Sequence, residues 1–237
     1  MTQAQWNSRI TQLMTPFDVW QYFKMDEASG MPQDSGEFAA SPGCHMTGSS
    51  GSTTYQQTGP FDGALGISKS GGIFSSPNYT PTPALDVNWG PAKAFEGWIR
   101  LDADPSSDTS ILGAGTVAVQ ARADNKLQIR SFWNPGSVTA ASSTALSVGT
   151  WYFILCDVTL ASGGVNLYIN ETLEIATASI FWPVPNGGFL RTGPAGYFGE
   201  PGTTVAATYS NLALLSGGGH TPDFPAPPVA TQVYRRI

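Results

Sequence analysis

Residues 149–176, GTWYFILCDVTLASGGVNLYINETLEIA, constrain the fold of this chain more than any other stretch. Apolar residues occupy both alternating faces of the first, Trp-led part, which predicts a central strand that is buried on both sides. A Ser-Gly-Gly turn and two short alternating strands follow. The pair Asn170-Glu171 predicts a tight reversal between those strands, and Asp124-Asn125 predicts another earlier in the chain, because the side chains of the latter pair tolerate the positive φ that a tight hairpin needs. The segment therefore predicts antiparallel strands of a β-sandwich.

Short apolar or alternating stretches recur along most of the chain at intervals of about ten residues, which is typical of all-β domains. They are VWQYF, GALGIS, GGIFSS, AFEGWIRLDA, TSILGAG, VAVQARA and KLQIRSFW. The composition agrees, because 27 glycines, 18 prolines and 12% charged residues in a chain of 237 fit an ordered, turn-rich fold. We expect one all-β domain with a meander as its simplest topology. Residues 39–60 are small and polar, and they predict a long surface loop.

The N-terminal segment predicts the one helix of the chain. Trp6, Ile10, Leu13 and Met14 have the spacing of one helical face, and a Thr-Pro pair ends the pattern. An apolar stripe of this kind either covers the edge of its own domain or contacts another molecule. Under the second alternative, Trp6, Ile10 and Leu13 are candidate assembly contacts.

The C-terminal segment changes composition sharply. Residues 218–237 are rich in glycine and proline and end in Tyr234, Arg235, Arg236 and an isoleucine. Proline favours an extended backbone, so the segment is either an arm that reaches a neighbouring molecule or a disordered end. The three residues Tyr234, Arg235 and Arg236 are candidate assembly contacts under the first alternative. The chain thus divides into a helical segment (1–17), a β domain (18–217) and an extended tail (218–237).

The charge and the cysteine content of the chain argue against nucleic-acid binding, membrane insertion and a disulfide. The formal net charge is −6, and the 11 basic residues are scattered, whereas nucleic-acid binding needs a clustered basic face. No basic stretch leads into an apolar run after Met1, and no run is long enough for a membrane span, so we expect a chain that is made in a cytoplasm and not inserted in a membrane. Cys44 and Cys156 are expected to be reduced thiols rather than a disulfide.

Five segments in a fixed order carry a family resemblance. They are YFKMDEASG with a later DSG, then GALGIS, FEGWIRL, the Trp-led segment described above, and GYFGEPG with TYSNLALLSG. Over residues 18–217 the chain resembles the laminin-G-like jelly roll of the concanavalin A-like lectin/glucanase superfamily. The resemblance implies a two-sheet antiparallel jelly-roll sandwich, with ligand loops at one edge or on the concave face.

Catalytic members of that superfamily carry two glutamates around an aspartate on one face of a strand. No strand here has that pattern. Asp102 and Asp104 are two positions apart, which would place them on the same face of a strand. A proline follows directly and predicts a loop there instead, so we expect no enzymatic activity. Some members bind calcium, and the resemblance makes Asp34 a weak candidate ligand. The last strand has Ser210-Asn211 where an acidic pair often stands, so no cofactor is expected.

Carbohydrate binding needs an aromatic face and a few polar groups. The candidate contacts are Trp89, Trp133, Asn134, Trp182 and Tyr197. The alternative for each ring is that it caps the edge of the sandwich.

The resemblance extends to jelly-roll domains of tailed-bacteriophage particles. The leading hypothesis is a non-enzymatic virion structural protein, a capsid decoration or a tail- or fibre-associated protein, made in the host cytoplasm. Its partners would be other virion proteins, further copies of itself and a host-surface glycan. The second hypothesis is a stand-alone lectin-like carbohydrate-binding module. The third is a glycoside hydrolase with an unrecognised acid pair.

Overall fold

The computed structural model describes residues 1–14, 19–33, 35, 46–48, 51–71, 74–75, 92–114, 117–131, 137–159, 164–177, 197–198, 205–216 and 221–222. These ranges contain one helix, α1 (Gln3–Met14), and fifteen strands. The strands are β1 (Val19–Phe23), β2 (Thr47–Gly48), β3 (Ser52–Thr58), β4 (Leu65–Ser70), β5 (Phe74–Ser75), β6 (Ala92–Leu101), β7 (Thr109–Ala114), β8 (Val117–Ala121), β9 (Leu127–Ser131), β10 (Ser137–Val138), β11 (Trp151–Thr159), β12 (Gly164–Ile169), β13 (Thr172–Thr177), β14 (Tyr197–Phe198) and β15 (Ala206–Ser216).

The strands form two antiparallel sheets. The eight-stranded sheet has the order β13-β12-β11-β6-β15-β4-β3, and β1 pairs with the second half of β15. The seven-stranded sheet has the order β10-β9-β8-β7-β14-β5-β2. The predicted all-β antiparallel sandwich with a short N-terminal helix is confirmed. The predicted tail lies outside the described residues except for residues 221–222.

A simple meander was the wrong topology for the chain as a whole. Consecutive strands are neighbours in β3 to β4, in β7 to β10 and in β11 to β13, as a meander requires. Strand β6, however, lies between β11 and β15, and β15 lies between β6 and β4. These pairings join strands that are far apart in sequence, so local patterns of hydrophobicity do not specify them.

Strand β11 is buried on both faces, as its sequence predicts. Ile154 and Cys156 point into the core between the sheets, where they join residues of both sheets such as Ile99 and Val119. Phe153 and the next residue on its face point the other way, into a second apolar cluster. Cys156 is a buried free thiol, and burial raises the pKa of that thiol above its ordinary value. Cys44 lies outside the described residues.

The predicted tight reversals are confirmed. Asn170 has a φ of 56° between β12 and β13, and Asn125 has a φ of 61° between β8 and β9. Both are in the left-handed region that asparagine tolerates better than most residues do.

The predicted loop over residues 39–60 is wrong in its second half. Residues 52–58 form strand β3, which pairs with β4 at the edge of the eight-stranded sheet. Alternate side chains of β3 are exposed, and none is charged. An edge strand makes backbone hydrogen bonds on one side and buries little, so it lacks the apolar alternation that sequence analysis detects.

Helix α1 packs on the face of the eight-stranded sheet that is turned away from the other sheet, which we call the outer face. Trp6 and Ile10 are 0% and 2% exposed, and they lie in a cluster with Tyr22, Phe153 and Leu155. The assignment of Trp6 and Ile10 as assembly contacts is therefore corrected, because both side chains are buried inside their own chain. Leu13 is in α1, but its side chain lies outside the described residues.

No helix among the described residues has the length and apolar character needed to cross a membrane.

Candidate functional site

Most residues that the sequence marks for function cannot be placed. Asp34, Trp89, Trp133, Asn134, Trp182, Tyr234, Arg235 and Arg236 lie outside the described residues. Tyr197 is in β14, which pairs with β5 and β7, but the position of its side chain is not described. These assignments stay predictions.

A different polar row crosses the outer face beside helix α1. Trp151 of β11 is opposite Arg100 of β6, Arg100 is opposite Thr208 of β15, and Thr208 is opposite Ser68 of β4. Directly opposed residues of antiparallel strands project from the same face of a sheet. The four side chains therefore form one continuous row, which we call the Trp151 row.

Trp151 lies across the sheet and is only half-buried. Its Nε1 donates a hydrogen bond to the carbonyl oxygen of Thr58, at 3.3 Å. The Cζ atom of Arg100 lies 5.3 Å from the centroid of the indole ring, within cation–π range. At Gly66 a Cβ atom would lie 3.2 Å from Cη2 of Trp151, so the absent side chain leaves room for the ring. The indole is thus fixed at both ends.

Asp102 follows the end of β6 and joins the row from one side. Its Oδ1 accepts a hydrogen bond from Nε of Arg100 at 2.8 Å. Its Oδ2 accepts hydrogen bonds from the hydroxyls of Ser68 at 2.8 Å and Thr208 at 2.7 Å. Nη2 of Arg100 donates to the Thr208 hydroxyl at 3.0 Å. The network closes on itself and holds each polar group at a set position beside the indole.

The row can offer solvent both an aromatic ring and polar groups. The side chains of Arg100 and Asp102 are 20% and 21% exposed. Sugars bind proteins by stacking their apolar ring face on an aromatic side chain and by exchanging hydrogen bonds through their hydroxyls. The Trp151 row has this combination, with a guanidinium as donor and a carboxylate as acceptor.

A second polar ladder lies on the far face of the seven-stranded sheet. Gln128 Nε2 donates to Asp108 Oδ2 at 2.9 Å and to Gln120 Oε1 at 3.1 Å, and Gln120 Nε2 donates to Ser110 Oγ at 3.3 Å. The two glutamines and the serine are buried. A buried ladder whose members bond one another stabilises the sheet but offers no surface to a ligand.

Three acidic residues on or just after β6 are engaged within the chain. Asp102 is engaged by Arg100, while Asp104 accepts a hydrogen bond from Nδ2 of Asn125 at 2.6 Å on an exposed loop. Glu96 is buried in an ion pair with Arg9. No group of three or more His, Cys, Asp or Glu side chains in the described ranges is arranged to hold a metal ion.

The Trp151 row is not evident from the sequence, because the pattern around Trp151 predicts only a buried structural strand. One signal was available: the tryptophan opens its strand directly after a Gly-Thr pair, which places it at the start of the strand rather than in its middle. The cross-strand neighbours Arg100 and Thr208 could not be found, because their pairing depends on strand order.

Comparison with protein families matches residues 74–213 to a laminin G model, which is described as the concanavalin A-like lectin/glucanases superfamily. No curated protein shows significant sequence similarity to the chain.

Solved structures share the fold at low sequence identity. Trypanosoma rangeli sialidase in complex with 2,3-difluorosialic acid aligns with a TM-score of 0.61 and 11% identity, over 92% of this chain and 36% of that chain. A structure of botulinum neurotoxin type C, whose cell entry depends on interaction with two ganglioside molecules, aligns with a TM-score of 0.54 and 11% identity, over 90% of this chain and 50% of that chain. At these identities the likeness shows the fold alone, and this chain spans about a third to a half of those proteins.

Proposed function

Because the chain belongs to the concanavalin A-like lectin/glucanase superfamily, we propose that it is a non-catalytic carbohydrate-binding protein that holds a sugar ring against Trp151. The observation that carries the proposal is the Trp151 row, in which a half-buried indole lies beside the paired Arg100 and Asp102. The row is on the outer face of the eight-stranded sheet, next to helix α1.

The chemistry of the row supports a sugar as the ligand class. Stacking requires a ring that is held in place, and the hydrogen bond to Thr58 and the gap at Gly66 hold the indole. Hydroxyls require fixed donors and acceptors, which the partly exposed Arg100 and Asp102 supply. The buried Thr208 holds both of them in place through its hydroxyl. One structural neighbour is a sialidase in complex with 2,3-difluorosialic acid, and another is a botulinum neurotoxin that interacts with gangliosides, which supports a glycan as the ligand class of this chain.

We propose that the protein is not catalytic because the carboxylate of the Trp151 row, Asp102, is engaged within the chain. Asp102 accepts three hydrogen bonds within the chain, whereas most glycoside hydrolases use two carboxyl groups that flank the scissile bond, one of them as the general acid. We expect no turnover on β-glucans or host-surface polysaccharides. Turnover that is lost in both Asp102→Ala and Asp104→Ala would instead favour the glycoside hydrolase hypothesis.

A glycan array tests the proposed function. We expect the wild-type chain to bind at least one glycan, Trp151→Ala to lose at least about tenfold in affinity, and Trp151→Phe to retain part of it, because phenylalanine still offers a ring face. Leu173→Ala changes an exposed apolar side chain on edge strand β13 of the same sheet, so it is the matched control and should bind as wild type does. Equal binding by Trp151→Ala and wild type would contradict the proposal.

We propose separately that the protein is a structural component of a bacteriophage virion. What supports it is the combination of a lectin-like sandwich with a glycine- and proline-rich C-terminal segment, residues 218–237, of a kind that could reach a neighbouring protein. A mass-spectrometric inventory of purified particles tests it. The chain should be present in stoichiometric amounts, and particles that lack it would contradict the assignment.

A further inference from the structure

We propose that the Trp151 row selects neutral sugars, and that Asp102 is the residue that excludes anionic ones. The inference rests on the proposed function and names the ligand class of the same site. It follows from the charges of Arg100 and Asp102, which form an ion pair beside the indole. The hydroxyls or the carboxylate of a bound sugar would contact this ion pair.

Arg100 is the cation of the row, and its charge is already matched. Its Nε is 2.8 Å from Oδ1 of Asp102, and Nη2 is bonded to the Thr208 hydroxyl. A guanidinium binds a carboxylate best through two parallel N–H groups. Nε and one N–H of Nη2 are engaged inside the chain, so the Nε–Nη2 edge is occupied. The carboxylate of a sialic or uronic acid would meet only the Nη1–Nη2 edge of a guanidinium whose charge Asp102 already matches.

Asp102 cannot easily give way to a ligand. Ser68 and Thr208 hold its Oδ2 at 2.8 Å and 2.7 Å, while Arg100 holds its Oδ1. An anionic sugar placed over Trp151 would therefore bring a second negative charge close to a fixed carboxylate. Two negative charges in the same site repel each other and oppose binding. The net charge of −6 on the whole chain adds to this repulsion at long range.

A neutral sugar meets no such opposition. Its ring can stack on the indole while one hydroxyl donates to Asp102 and another accepts from Arg100. Two neutral hydroxyls can therefore hydrogen-bond to Asp102 and Arg100 while the ion pair between these residues stays intact. The affinity for such a ligand should also be insensitive to salt, because no net charge is brought together.

The experiment compares three proteins on one array that carries neutral hexose and N-acetylhexosamine oligosaccharides together with sialylated and uronic acid glycans. The proteins are the full wild-type chain, Asp102→Asn and Asp104→Asn. Asp102→Asn keeps the size of the side chain but removes its charge, which leaves Arg100 as an unmatched cation. Asp104→Asn makes the same chemical change on an exposed loop residue two positions away, so it is the matched control.

We expect the wild-type chain to bind neutral glycans in preference to acidic ones, at both low and high salt. Asp102→Asn should shift the ratio of acidic to neutral binding by about tenfold or more towards acidic glycans, while Asp104→Asn should leave the ratio unchanged. Thermal unfolding of each variant checks that it is folded. If Asp102→Asn does not fold, the wild-type preference alone still tests the proposal.

Other outcomes separate the two claims. Wild-type binding that favours sialylated or uronic acid glycans would overturn this inference and leave the proposed function intact. A neutral preference that is unchanged in folded Asp102→Asn would overturn the role of Asp102. Binding to no glycan at all would overturn the proposed function and the inference with it.

Discussion

Arg9 and Glu96 form a bidentate ion pair between helix α1 and strand β6. The two contacts are Nη1–Oε1 at 2.5 Å and Nη2–Oε2 at 2.9 Å, and the residues are 7% and 0% exposed. The guanidinium also lies over Trp6, with Cζ 4.7 Å from the ring centroid. The pair fixes the position of the helix on the outer face, and this helix borders the Trp151 row.

Breaking this pair should destabilise the protein strongly. Glu96→Ala removes the bidentate ion-pair partner of the buried Arg9 guanidinium, so we expect the free energy of unfolding to fall by about 3 to 5 kcal/mol in urea titrations. The double variant Arg9→Met, Glu96→Leu should recover much of that loss. Ser8→Ala, on the exposed side of the same helix, should cost less than about 0.5 kcal/mol. A loss below about 1 kcal/mol for Glu96→Ala would show that the pair has little structural role.

Removing residues 1–14 should damage the β domain rather than only its assembly. The truncation uncovers the apolar outer face around Phe153 and Leu155, and it forfeits about 2 kcal/mol for each large buried side chain such as Ile10. We expect a lower unfolding midpoint and new binding of a hydrophobic dye. A truncated chain that unfolds at the midpoint of the full chain and binds no dye would contradict the packing described for α1.

Gly66→Ala should disturb the site through a steric clash. A Cβ atom at this position would lie 2.9 Å from the carbonyl oxygen of Tyr209 and 3.2 Å from Cη2 of Trp151. We expect a loss of about 1 to 3 kcal/mol in stability, a change in the near-ultraviolet circular dichroism of tryptophan, and weaker glycan binding.

Gly97→Ala serves as the control for this variant. Its Cβ atom would lie 2.2 Å from Cδ2 of Leu212, in the core between the sheets. It should therefore destabilise the chain while the folded fraction still binds glycan. Equal effects of the two variants on binding would argue against a specific role for the Gly66 gap.

Glu174 should contribute stability that depends on pH. Burial alone would raise its pKa, but hydrogen bonds from the hydroxyls and backbone N–H groups of Ser143 and Thr144 outweigh burial and lower the pKa below its ordinary value of 4.5. A carboxyl group whose pKa is lower in the folded state stabilises that state above the unfolded pKa, and this contribution disappears as pH falls through the folded pKa.

The measurement for Glu174 is the difference in unfolding free energy between wild type and Glu174→Gln. We expect a difference of about 1 kcal/mol at neutral pH, because the group is partly solvated, and a steady decrease once the pH falls below about 4.5. Glu171→Gln, an exposed residue in the adjoining turn, is the control. A difference that does not change with pH would contradict this account.

Local sequence predicted the parts of the fold that depend on neighbouring residues. The hairpins at Asn125 and Asn170 follow from residues that tolerate a left-handed backbone, and the doubly buried strand β11 follows from its apolar alternation. Strand β3 was missed because it is a polar edge strand. The pairing of β6 with both β11 and β15 was missed because long-range strand order leaves no local signature.

The same distinction explains the candidate site. Trp151, Arg100 and Thr208 belong to three strands that are distant in sequence, and only strand order brings them into one row. Aromatic residues are recognisable in the sequence one at a time, but their polar neighbours on other strands are not. For α1 the apolar spacing was recognised, and the outer face that receives it became visible only when the sheet was assembled.

The central claim is that a sugar binds on Trp151, and the most direct test is nuclear magnetic resonance of the tryptophan indole N–H groups. The chain has seven tryptophans, and Trp151→Phe identifies the resonance of Trp151 by its loss. On titration with a glycan that binds on the array, the account predicts the largest shift at the Trp151 resonance, because its Nε1–H is part of the row. Shifts confined to other tryptophans, with the Trp151 resonance unmoved, would contradict it.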